Sequence, residues 1–240
     1  MSYAFVKFSS FNAWFMALTI VEEFLLLALD DKKGNFVLDT LSLNYGLAGA
    51  ILFELALQDN IRIDNRRLYT EADASGQKNQ VLRTVVQFME KEKKARRVKF
   101  WVQHLGRKSY VLRKRFLQEL IDKGLLRHER KRFLFIPYHR YPAVNDKPEN
   151  DLRTRLRKII LEDVDADVRS VMLISLLRSC KLTRTLFASR KEYRQATRRI
   201  KQLTRDFEVT AAVSMVLREI QTAVMASVAS ASVVTTGASS

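Results

Sequence analysis

The sequence predicts an all-α fold: a single globular domain with a central buried helical bundle, surrounding amphipathic helices and a basic β-hairpin. Its 240 residues are 47% hydrophobic, enough to build a substantial core. The 7 glycines and 3 prolines are too few for a β-sandwich or barrel, which needs a turn every ~8–12 residues. Two long apolar runs, 11–29 and 41–57, contain acidic side chains, which indicates buried helices rather than membrane spans.

The spacing of apolar residues predicts most elements. Three segments are apolar on nearly all sides, as buried helices are, and form the predicted bundle: 13–29, 43–57 and 168–180. Amphipathic spacing predicts the surrounding helices: 77–91, 95–105, 111–123, 150–162, 191–207 and 209–225. Alternation at 61–63 and 68–69 predicts a short hairpin.

The helix that begins at 111 is predicted to end at Lys123-Gly124, because glycine commonly follows the last helical turn. A basic hairpin comes next, with predicted strands at 125–129 and 132–136 and Arg130-Lys131 at the turn. Prolines then predict a loop: Pro137, Pro142 and Pro148. Residues 226–240 are mainly Ala, Ser, Val and Thr, so we expect a domain over 1–225 and a disordered, low-complexity tail.

Positive charge is concentrated in the second half of the chain. The formal net charge is +16. Residues 1–90 hold 8 basic and 11 acidic side chains, a net of −3, whereas 91–208 hold 33 and 14, a net of +19. Such a balance suits a polyanionic partner, either nucleic acid or an anionic membrane. A single cysteine excludes an internal disulfide and favours a reducing, cytoplasmic location.

The sequence offers no recognisable catalytic or metal-binding set, so we expect no enzymatic activity, cofactor or metal. His104, His128 and His139 lie in unrelated sequence contexts, without a carboxylate or cysteine at a known spacing. The acidic run at 162–167 is interpreted as an N-terminal cap for the helix at 168. Cys180 ends an apolar helix and is expected to be a small buried hydrophobe.

Several leucine-rich motifs, taken in their order, resemble the Golgi phosphoprotein 3 family. They are LTIVEE at 18–23, GLAG at 46–49, LFELAL at 52–57 and LIDKGLL at 120–126, and the similarity covers about 15–225. The resemblance implies a largely helical domain that binds phosphatidylinositol 4-phosphate in a basic pocket. It also implies a peripheral position on the cytosolic face of Golgi membranes, where family members hold glycosyltransferases by their cytosolic tails.

The resemblance transfers the lipid pocket onto four positions, and only one keeps the family's residue. These positions are Asp39, Ala48, Tyr110 and Arg113, of which Arg113 is the match. We therefore expect charge-driven attachment to anionic lipid, with Lys114 and Arg115 assisting, since each engaged basic residue contributes ~1 kcal/mol near an anionic bilayer. In a prokaryotic host the expected membrane is instead the inner face of the plasma membrane.

The hairpin has more than one predicted use. Arg130, Lys131 and Arg132 are expected to contact the membrane, or to pair subunits in a homo-oligomer through 125–136, as the resemblance implies. The competing function is nucleic-acid binding, because a basic helix followed by a basic hairpin also describes a winged-helix reader.

Overall fold

The computed structural model describes residues 18–30, 32–71, 76–162, 164–206 and 211–236. Within these ranges the chain forms nine α-helices and five short β-strands. The helical majority confirms the predicted class, and the strands form two small antiparallel sheets beside the helices.

The first two helices begin where polar side chains cap them. Helix α1 (Ile20–Ala28) starts after Thr19, whose side chain and that of Glu22 form a capping box. The prediction placed its start at 13; Leu18 and Thr19 are not helical, and 13–17 lie outside the described residues. Helix α2 (Thr40–Leu57) starts three residues before its predicted position, because the Asp39 carboxylate accepts hydrogen bonds from the first turn.

Helix α2 lies at the centre of the core, where it packs against α1, against α7 (Val168–Ser179) and, more extensively, against the helices Val98–Arg107 and Ala211–Thr236. Every residue of α1 is buried. A Cβ atom on Gly46 of α2 would collide with the Phe24 ring and stand 2.7 Å from Cys180 Sγ, so only glycine permits this approach. Helix α7 begins at its predicted residue, since the Asp167 carboxylate accepts from Ser170 N at 2.8 Å.

Among the described residues, two helices are long and apolar enough to cross a membrane by length and composition alone. They are Thr40–Leu57 and Ala212–Ser230. In α2, 67% of that window is buried inside the fold. This burial is the property of a core helix, in agreement with the interpretation of 41–57.

The remaining helices and the first sheet lie close to their predicted positions. Strands β1 (Ile61–Asp64) and β2 (Arg67–Thr70) form the predicted hairpin, and β3 (Arg96–Arg97), which the sequence did not predict, pairs with β2. The helices are α3 (Gln80–Glu90), α4 (Val98–Arg107), α5 (Ser109–Asp122), α6 (Lys147–Leu161) and α8 (Arg190–Asp206), with a 3-10 turn at Thr183–Leu186.

The last helix, α9 (Ala211–Thr236), is longer than predicted. It continues past Met225, so the expected disordered tail is wrong for 226–236, and 237–240 lie outside the described residues. The reason is packing: Ser227 and Val228 are buried, and the alanines of this segment favour a helix once one face is covered.

The register of the basic hairpin differs from the prediction by four residues. Strands β4 (Glu129–Phe133) and β5 (Ile136–Arg140) flank a turn at Leu134-Phe135, so Arg130 and Lys131 lie in a strand. Residues 125 and 126 are buried at the end of α5, where both amides donate to the Leu120 carbonyl. They pair with 143–144 instead of 132–136, because Val144 N donates to the Leu125 carbonyl and Leu126 bridges to Ala143. Pro137 consequently lies within β5, opposite Arg132, rather than in a loop.

Candidate functional site

Three buried glutamates of α1 and α2, which we call the buried ion cluster, each face a basic side chain. Glu22 pairs with Lys123 at 2.6 Å. Glu23 lies 3.0 Å from Arg155 and 3.3 Å from Arg169. Glu54 accepts from Ile20 N at 2.6 Å and lies 3.5 Å from Arg169. The cluster therefore joins α1 and α2 to the start of α7, the end of α5 and the middle of α6.

Sequence reasoning missed this cluster, although a signal was present. Acidic side chains inside an apolar run argued only against a membrane span, whereas they also require buried cationic partners. Burial raises the pKa of Glu23, and the neighbouring Arg169 and Arg155 oppose that rise. Because each carboxylate is already compensated, the cluster holds the fold together and offers no free charge to a ligand.

Arg113 lies in a different environment, which we call the Arg113 site. Its guanidinium lies over the Phe36 ring at 5.2 Å and near the Tyr110 ring at 6.0 Å. Its Nη1 donates to Asn44 Oδ1 at 3.4 Å, a long hydrogen bond. The side chain is half-buried, although helical spacing predicted a solvent-facing arginine. The difference arises because the segment that leads into α2 covers one side of α5.

The electrostatics of the Arg113 site favour an anion. Burial lowers the pKa of Arg113 from the ordinary arginine value, and the same cause, with Tyr110, raises the pKa of Tyr141. Among the described residues no carboxylate lies within 4.0 Å of the Arg113 guanidinium. A partly desolvated guanidinium without a protein counter-charge retains donors for an external phosphate.

The other residues predicted for the pocket lie in several places. Ala48 is buried in α2 at 1% exposure and cannot reach a ligand. Asp39 lies at the end of α2 that faces this region, but its carboxylate caps the helix, and the capping hydrogen bonds lower its pKa. Tyr110 is exposed beside Arg113, and Lys114 follows one helical turn later on the same side of α5.

Arg115 lies on another side of α5. Two positions along a helix correspond to about 200° of rotation, so Arg115 is directed away from Arg113. It lines a groove of about 360 Å³ between α3, α4 and α5, together with Arg107 and Lys108. The structure therefore divides the predicted basic cluster between two surfaces.

The hairpin presents an apolar tip on a basic stem. Leu134 is 75% exposed and Phe135 is 96% exposed. Both adopt left-handed backbone conformations, with φ of 44° and 71°, at a turn where asparagine and glycine are preferred. Arg130 and Arg132 are exposed and have no ion pair within the described chain, whereas Lys131 lies 3.4 Å from Glu129.

The base of the hairpin lies beside the Arg113 site, where Tyr141 interacts electrostatically with Arg113. Tyr141, the residue after β5, donates its backbone amide to the Gly34 carbonyl at 2.8 Å. The tip of a five-residue strand is ~17 Å from its base. Leu134 and Phe135, at the tip, therefore lie ~17 Å from the Arg113 site.

Two of the histidines are brought together, so the interpretation of three unrelated histidines is wrong for this pair. His128 Nε2 and His139 Nδ1 lie 2.7 Å apart at the hairpin base, where the His128 ring stacks on the rings of His139 and Tyr141. The third, His104, stacks between Phe88 and Phe100. The pairing of β4 with β5, which sequence spacing does not reveal, creates the contact.

The other chemical groups have structural surroundings. Cys180 is 1% exposed, and burial raises the pKa of its thiol to about 12, so it is a small buried hydrophobe as expected. Asp167 caps α7, as the acidic run predicted. In the described ranges no three His, Cys, Asp or Glu side chains are grouped to hold a metal ion.

Comparison with known proteins agrees with the resemblance seen in the motifs. The family model described as Golgi phosphoprotein 3 (GPP34) matches residues 20–226. Two similar proteins are both called vacuolar protein sorting-associated protein 74. The one from Schizosaccharomyces pombe is 28% identical over 166 residues, 61% of this chain. The one from Eremothecium gossypii is 26% identical over 164 residues, 60% of this chain. In each case the match covers 49% of the relative, so the chain spans about half the length of the curated relatives it matches.

Proposed function

The chain belongs to the Golgi phosphoprotein 3 family, and we propose that it is a non-enzymatic protein held peripherally on the cytosolic face of Golgi membranes. It binds anionic, phosphoinositide-like headgroups through the Arg113 site and the hairpin. By analogy with the relatives named for vacuolar protein sorting, it acts as an adaptor that sorts or retains membrane proteins by their cytosolic tails. These relatives are fungal and give the plasma-membrane alternative no support.

The observation that carries the proposal is the uncompensated guanidinium of Arg113. A planar guanidinium can donate two parallel hydrogen bonds to one phosphate. The rings of Phe36 and Tyr110 restrict the side chain, so less rotamer entropy is lost on binding. Partial burial also strengthens the attraction relative to bulk water, since the local dielectric constant is lower.

The hairpin would add a second, independent contribution to the free energy of membrane binding, through its apolar tip. Full transfer of a Leu or Phe side chain from water to an apolar phase contributes ~1.5–3 kcal/mol. Leu134 and Phe135 are exposed at the tip and can contribute this transfer free energy. Arg130 and Arg132 can contact the headgroups, each with a contribution of ~1 kcal/mol to binding. Apolar Phe and Leu side chains next to basic ones suit the interface between acyl chains and anionic headgroups.

Vesicle flotation with two matched variants tests the headgroup site. Arg113→Gln and Arg115→Gln remove the same charge from the same helix on different sides. With vesicles that contain phosphatidylinositol 4-phosphate, we expect Arg113→Gln to weaken binding about tenfold, the equivalent of ~1.4 kcal/mol, and Arg115→Gln less than twofold. Equal losses, or full binding by Arg113→Gln, would refute a site centred on Arg113.

Lipid composition and salt separate headgroup recognition from charge alone. Vesicles of neutral phosphatidylcholine, with phosphatidylserine or phosphatidylinositol 4-phosphate added to equal surface charge, are compared over a salt series. We expect tighter and less salt-sensitive binding to the phosphoinositide, since a half-buried contact is screened less than a surface one. Duplex DNA is titrated in parallel, and loss of DNA binding by Arg113→Gln with intact vesicle binding would favour the nucleic-acid function.

The double change Leu134→Ser and Phe135→Ser tests the hairpin. Weaker flotation with an unchanged sedimentation coefficient supports insertion of the tip into the bilayer. A changed oligomeric state with unchanged flotation instead assigns the hairpin to subunit pairing. Because both side chains are exposed, neither change should affect folding.

A further inference from the structure

A second basic cavity lies between α7, α8 and α9, away from the Arg113 site. Its volume is about 440 Å³, within the usual range for small-molecule pockets. Helices α8 and α9 converge with α7 here, and each supplies one cation: Arg178 from α7, Lys201 from α8 and Arg218 from α9. We call it the α7–α9 cavity.

Among the side chains that the structure describes, no carboxylate neutralises the three cations of the α7–α9 cavity. Within the described ranges none of them lies within 4.0 Å of an acidic side chain. Elsewhere on the same helices the structure does form ion pairs, as Arg157 does with Glu192 and Arg169 with Glu23. Among the described side chains, the lack of an acidic partner therefore distinguishes this cavity from the rest of these helices.

One cation is held in position. Nη1 of Arg178 donates to Thr204 Oγ1 at 2.7 Å, and that hydroxyl donates onward to the backbone of α8. Arg178 is half-buried, so the hydrogen bond fixes a guanidinium whose remaining N–H groups have no acceptor among the described residues. A guanidinium oriented in this way loses little entropy when it binds an anion.

Neutral polar groups complete the wall. Ser214, Arg218 and Gln221 follow one another at helical spacing on α9, so they share one face. Leu217, on the same face, is buried at 6% exposure and forms an apolar floor. The side chains of Ser214 and Gln221 have no hydrogen bond within the described chain. A hydroxyl and an amide beside three cations match a ligand that carries both phosphate and hydroxyl groups.

We infer that the α7–α9 cavity binds a small organic phosphate of the polyol phosphate class. Arg178, Lys201 and Arg218 surround its phosphate, and Ser214 and Gln221 bind its hydroxyl groups. A phosphomonoester carries about −1.5 to −2 charges at pH 7, so one or two such groups balance the three cations. The ligand is either a soluble phosphate ester or the headgroup of a lipid, because the recognised chemistry is the same.

Calorimetric titration with soluble inositol 1,4-bisphosphate tests the assignment on the full chain at 150 mM salt. We expect Lys201→Gln with Arg218→Gln to raise the dissociation constant at least tenfold. The matched control, Lys191→Gln with Arg194→Gln, removes the same charge from exposed positions of α8 and should change it less than twofold. Gln221→Leu, which keeps every charge, should still weaken binding about threefold.

The outcomes separate this inference from the proposed function. No binding by the wild-type chain, equal losses in the two double variants, or loss caused by Arg113→Gln alone would each overturn it. None of these three outcomes contradicts the proposed function. That function is contradicted by a different result, the retention of vesicle binding by Arg113→Gln. Flotation with phosphatidylinositol 4-phosphate vesicles identifies the ligand's source: unchanged flotation of Lys201→Gln with Arg218→Gln indicates a soluble ester, and reduced flotation a lipid headgroup.

Discussion

The buried ion cluster and the Arg113 site both bring arginine against a helix of the core, but they differ in what faces the guanidinium. In the cluster, Arg155 and Arg169 face Glu23 at 3.0 and 3.3 Å. At the Arg113 site the neighbours are aromatic rings and one amide. The difference shows that the same side chain serves the fold where it is paired and remains available to a ligand where it is not.

The energetic consequence follows from desolvation. A buried charge is tolerated only when a partner replaces its hydration. Removal of one member of a pair therefore leaves the other as an uncompensated buried charge. Removal of a half-buried arginine that has no counter-charge leaves no buried charge unpaired. Substitutions should therefore lower the free energy of unfolding at the buried ion cluster and weaken ligand binding at the Arg113 site. Three changes test this division.

Arg169→Met should have the largest effect on stability. Arg169 faces both Glu23 and Glu54 and donates to the Leu18 carbonyl, so its loss leaves two buried carboxylates undercompensated. We expect the free energy of unfolding to fall by ~3–5 kcal/mol in urea titration. The control, Arg113→Met, should lower it by less than ~1 kcal/mol. Similar losses in both variants would contradict the division.

Gly46→Ala should have an intermediate effect, because it tests packing next to the cluster. The added methyl group would collide with Phe24 and Cys180 in the core, at an expected cost of ~1–3 kcal/mol. Gly76→Ala is the control, since no described residue other than its chain neighbours has an atom within 4 Å of its Cβ position. Thermal melting of both variants gives the comparison, and a melting temperature unchanged by Gly46→Ala would show that α1 can move away from α2.

Replacement of the hairpin tip by Leu134→Asn with Phe135→Gly should have the smallest effect on stability, and of opposite sign. Asparagine and glycine adopt left-handed conformations readily, so we expect a gain of ~0.5–1 kcal/mol. Vesicle binding should weaken, because the apolar side chains are lost. If vesicle binding is kept while stability rises, the tip has no membrane role.

Much of the helical structure was predictable because its signals are local. Asp167 and Gly124 mark helix ends through contacts within a few residues, and the predicted boundaries there were confirmed. The hairpin register was not predictable in this way. It depends on the burial of Leu125 and Leu126 against the end of α5, and no glycine or asparagine marks its turn.

The candidate site was predictable only in part. The resemblance indicated Arg113, but spacing along the helix could not foresee the Phe36 ring beneath its guanidinium or its electrostatic interaction with Tyr141. Helical periodicity already places Arg115 on another side of α5 from Arg113, but only the packing of α3 and α4 shows which groove Arg115 lines.

The sequence by itself determined the helical class, the family, most helix boundaries and the excess of positive charge, because periodicity, capping and composition act over short stretches of chain. The tertiary structure alone decided which charges are neutralised. Arg169 meets Glu54 across 115 positions of sequence, whereas Arg178, Lys201 and Arg218 converge with no carboxylate among the described lining residues. Such pairings depend on how helices pack, since a charge is compensated only by what lies within a few ångströms of it.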